Sequence, residues 1–423
     1  SIPEPRTTDD GVWPKEFQNI DFYTRAGSIG QWETAAWEDA QSSQVEFRRG
    51  DFFDLKDFNL DNDEAMRALT HSYQYWIALT DCDGFRMDAV KHVSAEHSQK
   101  FCRDIRDYAQ SIGKDNFFLT GEITAGDLAS AYIDLLGNNI DTLLSIVKYP
   151  NALTAFAKGL SHPNDFLSMY DPGHMEGLVR QAGRYLVNVL DDHDMSSRGA
   201  KARFAAGSGD VPHRYQQVAH VVGVQLTTPG IPAIYYGTEQ AFDGSEAYHD
   251  YAVEPNRFGE DRYIRESMFG GEFGAFGTQG CHFFNQQHPT YVRISAIARL
   301  RNRQDAIGMA LRRGRFFPRE TTFLDYGFEI HGPGEITAWS RLFLETEVLV
   351  VLNPHGLETR AAAITVDARL HPAGSTLRYL YRGDWSDAML ENSPEDKIVT
   401  VQVREGRSVV EIELPPSGMA LLV

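Results

Sequence analysis

Arg86 and Asp88 stand two residues apart in the run Gly84-Phe85-Arg86-Met87-Asp88-Ala89-Val90-Lys91-His92. On a β-strand, side chains repeat their facing every second residue. These two therefore share one face, while Phe85, Met87 and Ala89 share the other. A guanidinium beside a carboxylate keeps the acid ionised, the state an attacking carboxylate needs. Taken alone, an Arg-x-Asp reads first as a structural ion pair at a strand end. Two further runs change that reading: Phe117-Phe118-Leu119-Thr120-Gly121-Glu122 and Leu186-Val187-Asn188-Val189-Leu190-Asp191-Asp192-His193-Asp194. Each is a short apolar stretch that ends in carboxylates.

The elements between these runs indicate how the acids are positioned. Leu128 to Leu136 and Met175 to Tyr185 have helical periodicity, so strands alternate with helices and imply βα units around a parallel sheet. Parallel strands present their C-terminal ends on one side, which predicts that Asp88, Glu122 and Asp194 converge on a single rim. In (β/α)8 barrels that rim carries the active site.

The three segments, in this order, resemble motifs of the α-amylase family of retaining α-glycosidases (glycoside hydrolase family thirteen). The resemblance implies that Asp88 is the nucleophile, Glu122 the general acid/base and Asp194 a third carboxylate holding substrate hydroxyls. It makes Arg86 the arginine beside the nucleophile, and His193 a sugar ligand of the central subsite. Lys91 and His92 are similar to a pair lining the leaving-group side in many α-amylases. Thr228-Pro229-Gly230-Ile231-Pro232-Ala233-Ile234-Tyr235-Tyr236-Gly237-Thr238-Glu239 resembles the family's last barrel strand, and Phe53-Asp54-Leu55 the end of its inserted domain. Tyr236, near a strand end, is a candidate sugar contact; Asp192 is either a substrate contact or an acid that supports one from behind, and many relatives have Asn where Asp191 and Asp192 stand. Asp54 matches an acid that helps bind Ca²⁺ in many relatives, with the main-chain carbonyl of His92 as a further ligand. The alternative for Asp54 is a helix-capping or solvated acid.

Retaining cleavage uses two carboxyl groups about 5–5.5 Å apart, one attacking carbon and one protonating the leaving oxygen. No organic cofactor takes part. The expected activity is hydrolysis of α-1,4-glucosidic bonds in starch-like glucans through a glycosyl-Asp intermediate. Transglycosylation at the same site is the alternative, and a non-catalytic binding protein on the same fold is the third reading.

The family's barrels carry three strands and an Asp-x-x-x-Asn-His-like motif before their inserted domain; no such segment lies upstream of Gly84. The expected organisation is an inserted-domain remnant over 1–60, strands four to eight of a (β/α)8 TIM barrel over 61–307, and a C-terminal antiparallel β-sandwich over 308–423. A five-stranded barrel would leave open edges, so the segment bearing the first strands is an expected partner, alongside the glucan itself.

Composition fits such an enzyme. The chain has 423 residues and a net charge of −19, from 40 basic and 59 acidic residues, which argues against nucleic acid as partner. Apolar runs stop short of the roughly 20 residues that span a bilayer, so no membrane is expected. Three cysteines, Cys82, Cys102 and Cys281, make no disulfide framework, although Cys82 and Cys102 are placed where they could meet. Localisation, secreted or cytoplasmic, is not written in the chain. A helix is expected from about Asp63 to Leu79 with Trp76 in its core face, Glu239 as an orienting acid, and Arg198 and Arg203 in solvated loop, the alternative being that one of them pairs with Asp194.

Overall fold

The computed structural model describes residues 13–32, 43–123, 140–146, 148–170, 186–194, 203–206, 211–244, 264–266, 268 and 284–423. The expected helices over 128–136 and 175–185, together with Arg198 and Cys281, lie outside the described residues. The chain forms two compact units, Ser1–Leu144 and Ser145–Val423.

The first unit begins with irregular, aromatic-rich chain in which Phe17 and Phe22 pack against Ala65. Helix α1 (Asp63–Thr80) follows. Asn62 caps it, its side chain accepting from the N–H groups of Glu64 and Ala65, and Asp63 and Glu64 favour the positive end of its dipole. Its buried stripe is Ala65, Met66, Thr70 and Ile77. Trp76 is 52% exposed, contrary to the expected core placement. It lies about 100° around the helix from Ile77, outside the stripe. Strand β1 (Gly84–Met87), helix α2 (Ala95–Ser111), strand β2 (Phe118–Glu122) and strand β3 (Thr142–Ser145) complete the βα pattern. β1 pairs parallel with β2, with Arg86 opposite Thr120 and Met87 opposite Gly121, and β2 pairs parallel with β3. Cys82 and Cys102 are free thiols; burial pushes the Cys102 thiol up to about 12.

The second unit continues with helices α3 (Lys148–Ala157) and α4 (Pro163–Leu167), strand β4 (Val187–Val189), helix α5 (Val211–Thr227) and strand β5 (Ile231–Ala233). β4 and β5 pair parallel. Helices α6 (Pro289–Asn302) and α7 (Ala306–Arg313) lead into the β-rich C-terminal region. There the strands are β6 (Arg315–Arg319), β7 (Thr321–Thr322), β8 (Thr337–Phe343), β9 (Thr346–Leu352), β10 (Arg360–Thr365) and β11 (Thr376–Arg382), then β12 (Ile398–Thr400), β13 (Gln402–Arg404), β14 (Arg407–Leu414) and β15 (Met419–Leu422).

Two antiparallel sheets result, in the orders β13-β14-β10-β7 and β12-β11-β15-β9-β8-β6. Ile364, Val410 and Ile412 of one sheet meet Leu349, Val351 and Leu422 of the other in a shared core, which is the sandwich expected from the short β runs. The outer face of the larger sheet has its own cover. Trp339, Val350 and Met419 pack with Leu153, Val222 and Ile297 of the helices in a single apolar cluster. The sandwich is therefore welded to the helical layer, with fully buried side chains on both sides of β8 and β9.

Candidate active site

β1 and β2 place the first two acids. The register sets Met87 beside Gly121, so the next residue on each strand, Asp88 and Glu122, falls abreast of the other. Neighbouring strands lie about 4.8 Å apart, which brings two side chains on one face within reach. Arg86 spans them. Its Nη1 pairs with Asp88 Oδ1, and its Nη2 lies 2.8 Å from Glu122 Oε2. The Ala89 N–H adds a bond of 3.4 Å to the same Glu122 oxygen. Ala89 itself sits at φ +49°, in the left-handed region that a residue with a Cβ rarely adopts. That turn follows β1 at once, with Asp88 as its first residue, and is a local strain of the kind found where a side chain must be aimed.

The two carboxyl groups differ in environment. Asp88 is 71% exposed, whereas Glu122 is 12% exposed. Burial pushes the Glu122 carboxyl above the ordinary carboxylate range. The Arg86 cation opposes that push, and hydrogen-bond contact with Asp88 reinforces it. One acid is thus held toward its protonated form while its neighbour stands in solvent, the division of labour that acid–base chemistry on a glycosidic bond requires.

Asp88, Ala89 and His92 open onto a cavity of about 470 Å³ that Arg48, Phe52 and Asp57 also line. His92 donates through Nδ1 to the Phe47 carbonyl at 2.5 Å, and Phe47, Phe52 and Trp32 surround its ring edge-on. Burial pushes its imidazole below the ordinary histidine range. Lys91 places its ammonium 5.7 Å from the centre of the Phe47 ring, and its carbonyl accepts from Arg48. Asp54 is exposed. Among the described residues no group of three or more His, Cys, Asp or Glu side chains could hold a metal. The buried acid of that stretch is Asp51, paired with Lys56 at 2.6 Å.

The second unit holds the remaining candidates. After β4 the chain turns tightly, and Asp192 Oδ1 accepts from the Asp194 N–H at 2.6 Å. One oxygen of Asp192 is therefore engaged in shaping the turn. Asp191 is buried and accepts from the Phe204 N–H at 2.8 Å, a structural role. His193 Nε2 lies 3.2 Å from Asp194 Oδ2. Asp194 Oδ1 accepts from Arg265 at 2.8 Å. Tyr236 is 39% exposed and stacks edge-on with Tyr235 at 4.6 Å. Glu239 is partly buried in a short turn, and burial raises its carboxyl.

The model of the α-amylase catalytic domain matches residues 12–306, well over half of the sequence. The chain belongs to the α-amylase family. It is 26% identical over 367 residues to an α-amylase of Streptomyces lividans, an alignment covering 84% of this chain and 36% of that protein. It is 27% identical over 295 residues to a cyclomaltodextrin glucanotransferase of Klebsiella oxytoca, covering 62% of this chain and 41% of that one. It therefore spans well under half the length of these relatives. Among solved structures, an Anoxybacillus α-amylase superposes with a TM-score of 0.66 at 22% identity, covering 96% of this chain and 71% of the other. That likeness concerns the fold, which the parallel strands and the antiparallel C-terminal sheets share with the α-amylases.

Three residues of this family member escape a reading of its sequence. Arg203, expected in solvated loop, is fully buried and paired with Glu266 at 2.8 Å. Arg265 touches Asp194 across 71 positions. The only sequence signal for any of them is a lone Arg-Glu dipeptide in a stretch without periodicity.

Proposed function

We propose that the protein is a retaining α-glucosidic enzyme acting on α-1,4-linked glucans, with Asp88 as nucleophile, Glu122 as general acid/base and Asp194 as the carboxylate that grips the reacting sugar. The observation that carries this reading is the asymmetric pair at the ends of β1 and β2. An exposed Asp88 and a mostly buried Glu122, whose carboxyl burial pushes up, share one guanidinium.

In the first step Asp88 attacks the anomeric carbon and Glu122 gives its proton to the departing oxygen. The glycosyl-Asp88 ester is then cleaved by water, or by a sugar hydroxyl, that Glu122 deprotonates. Arg86 pairs with Asp88 and leaves its carboxylate open to the cavity. Oxocarbenium character in the transition state would be met by the negative charge of Asp194.

Hydrolysis is the first reading. Glucan transfer at the same site is the second, favoured by the similarity to a cyclomaltodextrin glucanotransferase. Replacing Glu122 with Gln tests the assignment. Cleavage of maltoheptaose should fall by about 10²–10⁴-fold, as expected for loss of a general acid. A substrate whose leaving group needs no proton should be spared in the first step. Equal loss on both substrates would remove Glu122 from the acid role. Product analysis with and without added maltose separates transfer from hydrolysis: longer oligosaccharides in its presence identify transfer.

A further inference from the structure

The Arg203 guanidinium is completely enclosed. Its Nε donates to Glu266 Oε2 at 2.8 Å, its Nη1 to the Tyr236 carbonyl at 2.8 Å and its Nη2 to the Ile264 carbonyl at 3.0 Å. The rings of Tyr235 and Phe242 lie 4.6 and 5.6 Å from it. The second oxygen of Glu266 accepts from the Gly244 N–H at 2.8 Å. A charge pair this deeply buried survives only when its remaining donors and acceptors are satisfied, and here they are met by three separate stretches of loop. The node fixes residues 264 and 266 from one side. Residue 265, between them, has its backbone pinned at both ends.

The Arg265 side chain leads to the carboxylate at the end of β4. Its Nε donates to the His193 carbonyl at 2.9 Å and its Nη2 to Asp194 Oδ1 at 2.8 Å, while His193 Nε2 stands 3.2 Å from Asp194 Oδ2. Each oxygen of Asp194 thus has its own partner, and both Arg265 and Asp194 stay partly open to solvent, at 44% and 38%. The planar fork of arginine makes two directed bonds at once, which an ammonium does not reproduce.

We propose that Arg265 is a positioning residue: it locks the rotamer of Asp194 and the peptide that carries it, and the buried Arg203–Glu266 pair is the anchor that aims it. This rests on the reading of Asp194 as the carboxylate that grips sugar in the transition state. Arg265 acts through Asp194 on that state, so its loss should lower kcat more than it raises KM.

The test compares Arg265→Ala, Arg265→Lys and Asp194→Asn on maltoheptaose. Misplacing a reacting-centre group by about 1 Å costs on the order of 10² in rate. Arg265→Ala should therefore lose about 10- to 100-fold in kcat with KM changed less than about threefold. Added guanidinium ion, at concentrations well below those that unfold the wild type, should restore part of that loss. Arg265→Lys should remain impaired, and Asp194→Asn should not respond to guanidinium. Arg265 is half-exposed, so its variants should melt with the wild type. A kcat for Arg265→Ala equal to wild type would overturn the proposal. So would a loss confined to KM, or a parallel fall in activity and melting temperature without guanidinium rescue. Should Asp194→Asn keep full activity, the reading of Asp194 fails, and the positioning role with it. Should Asp194→Asn be inactive while Arg265→Ala is not, only the positioning role fails.

Discussion

Replacing Arg86 with Met removes the cation shared by the two strand-end acids while keeping most of its length. The arm to Glu122 is the valuable one. It is a charge-assisted bond of 2.8 Å to a carboxyl only 12% exposed, and such bonds contribute about 1.5–3 kcal/mol. The arm to Asp88 reaches a group 71% exposed, where water screens the pair and the contribution is at most about 1 kcal/mol. Together the arms hold both acids to one guanidinium with about 2–4 kcal/mol, but they already exist in the free enzyme, so the loss of rate comes from freeing Asp88 to move; a displacement of about 1 Å costs on the order of 10²-fold in kcat/KM. The pH dependence gives a second, signed readout. Arg86 holds the Glu122 carboxyl down against burial, so its removal lets that carboxyl rise further. An acid that loses its proton later keeps the enzyme active to higher pH, and the alkaline limb of kcat/KM should move upward. The assay is maltoheptaose cleavage measured from pH 4 to pH 10, with circular dichroism confirming that the variant folds. A fall under about threefold, or an alkaline limb that moves to lower pH, would refute the shared-cation argument.

Three further outcomes follow from buried groups. Glu122 has its carboxyl raised from the ordinary 4.5, so its charge burdens the folded state above that pH. Glu122→Gln should melt no lower than wild type at pH 8, with any gain shrinking toward pH 4.5 in calorimetric scans; a lower melting temperature at pH 8 would contradict this. Glu347 is fully enclosed: burial alone would push it up, but His371 Nε2 at 3.3 Å, hydrogen bonds from Ser340 and the Asp367 N–H, and the Arg319 charge bring it down to about 2. Its contribution is complete above pH 4.5 and is lost as pH falls toward 2. Glu347→Ala should cost about 3–5 kcal/mol in urea unfolding at pH 7, and a change under about 1 kcal/mol would mean the network is dispensable. Gly230 enters β5 at φ +115°, with Asn188 occupying the space a Cβ would need. Gly230→Ala should cost about 2–4 kcal/mol from backbone strain and crowding, read from the urea midpoint.

The parts of this molecule that could be read from its residues are those governed by short periods. Asp88 and Glu122 end apolar runs, and parallel pairing with the observed register sets them side by side without any distant residue being consulted. Helix α1 was legible because Asn62 caps it and Ala65, Met66, Thr70 and Ile77 repeat at helical spacing. Trp76 misled because an aromatic one position from that stripe looks apolar enough to join it, yet the helix turns it outward. Arg203 lies between short loops, where a charge is ordinarily solvated. Only closure of the chain over 61 and 63 positions brings it the Ile264 carbonyl and the Glu266 carboxylate that make burial tolerable. Asp54 drew attention by its surroundings in sequence, but its neighbour Asp51 took the interior and Lys56 with it. Local periodicity thus placed Asp88 and Glu122 side by side. The clamp on the third carboxylate depends on loop closure, which leaves no repeat in the sequence because each of its bonds joins residues that share no element.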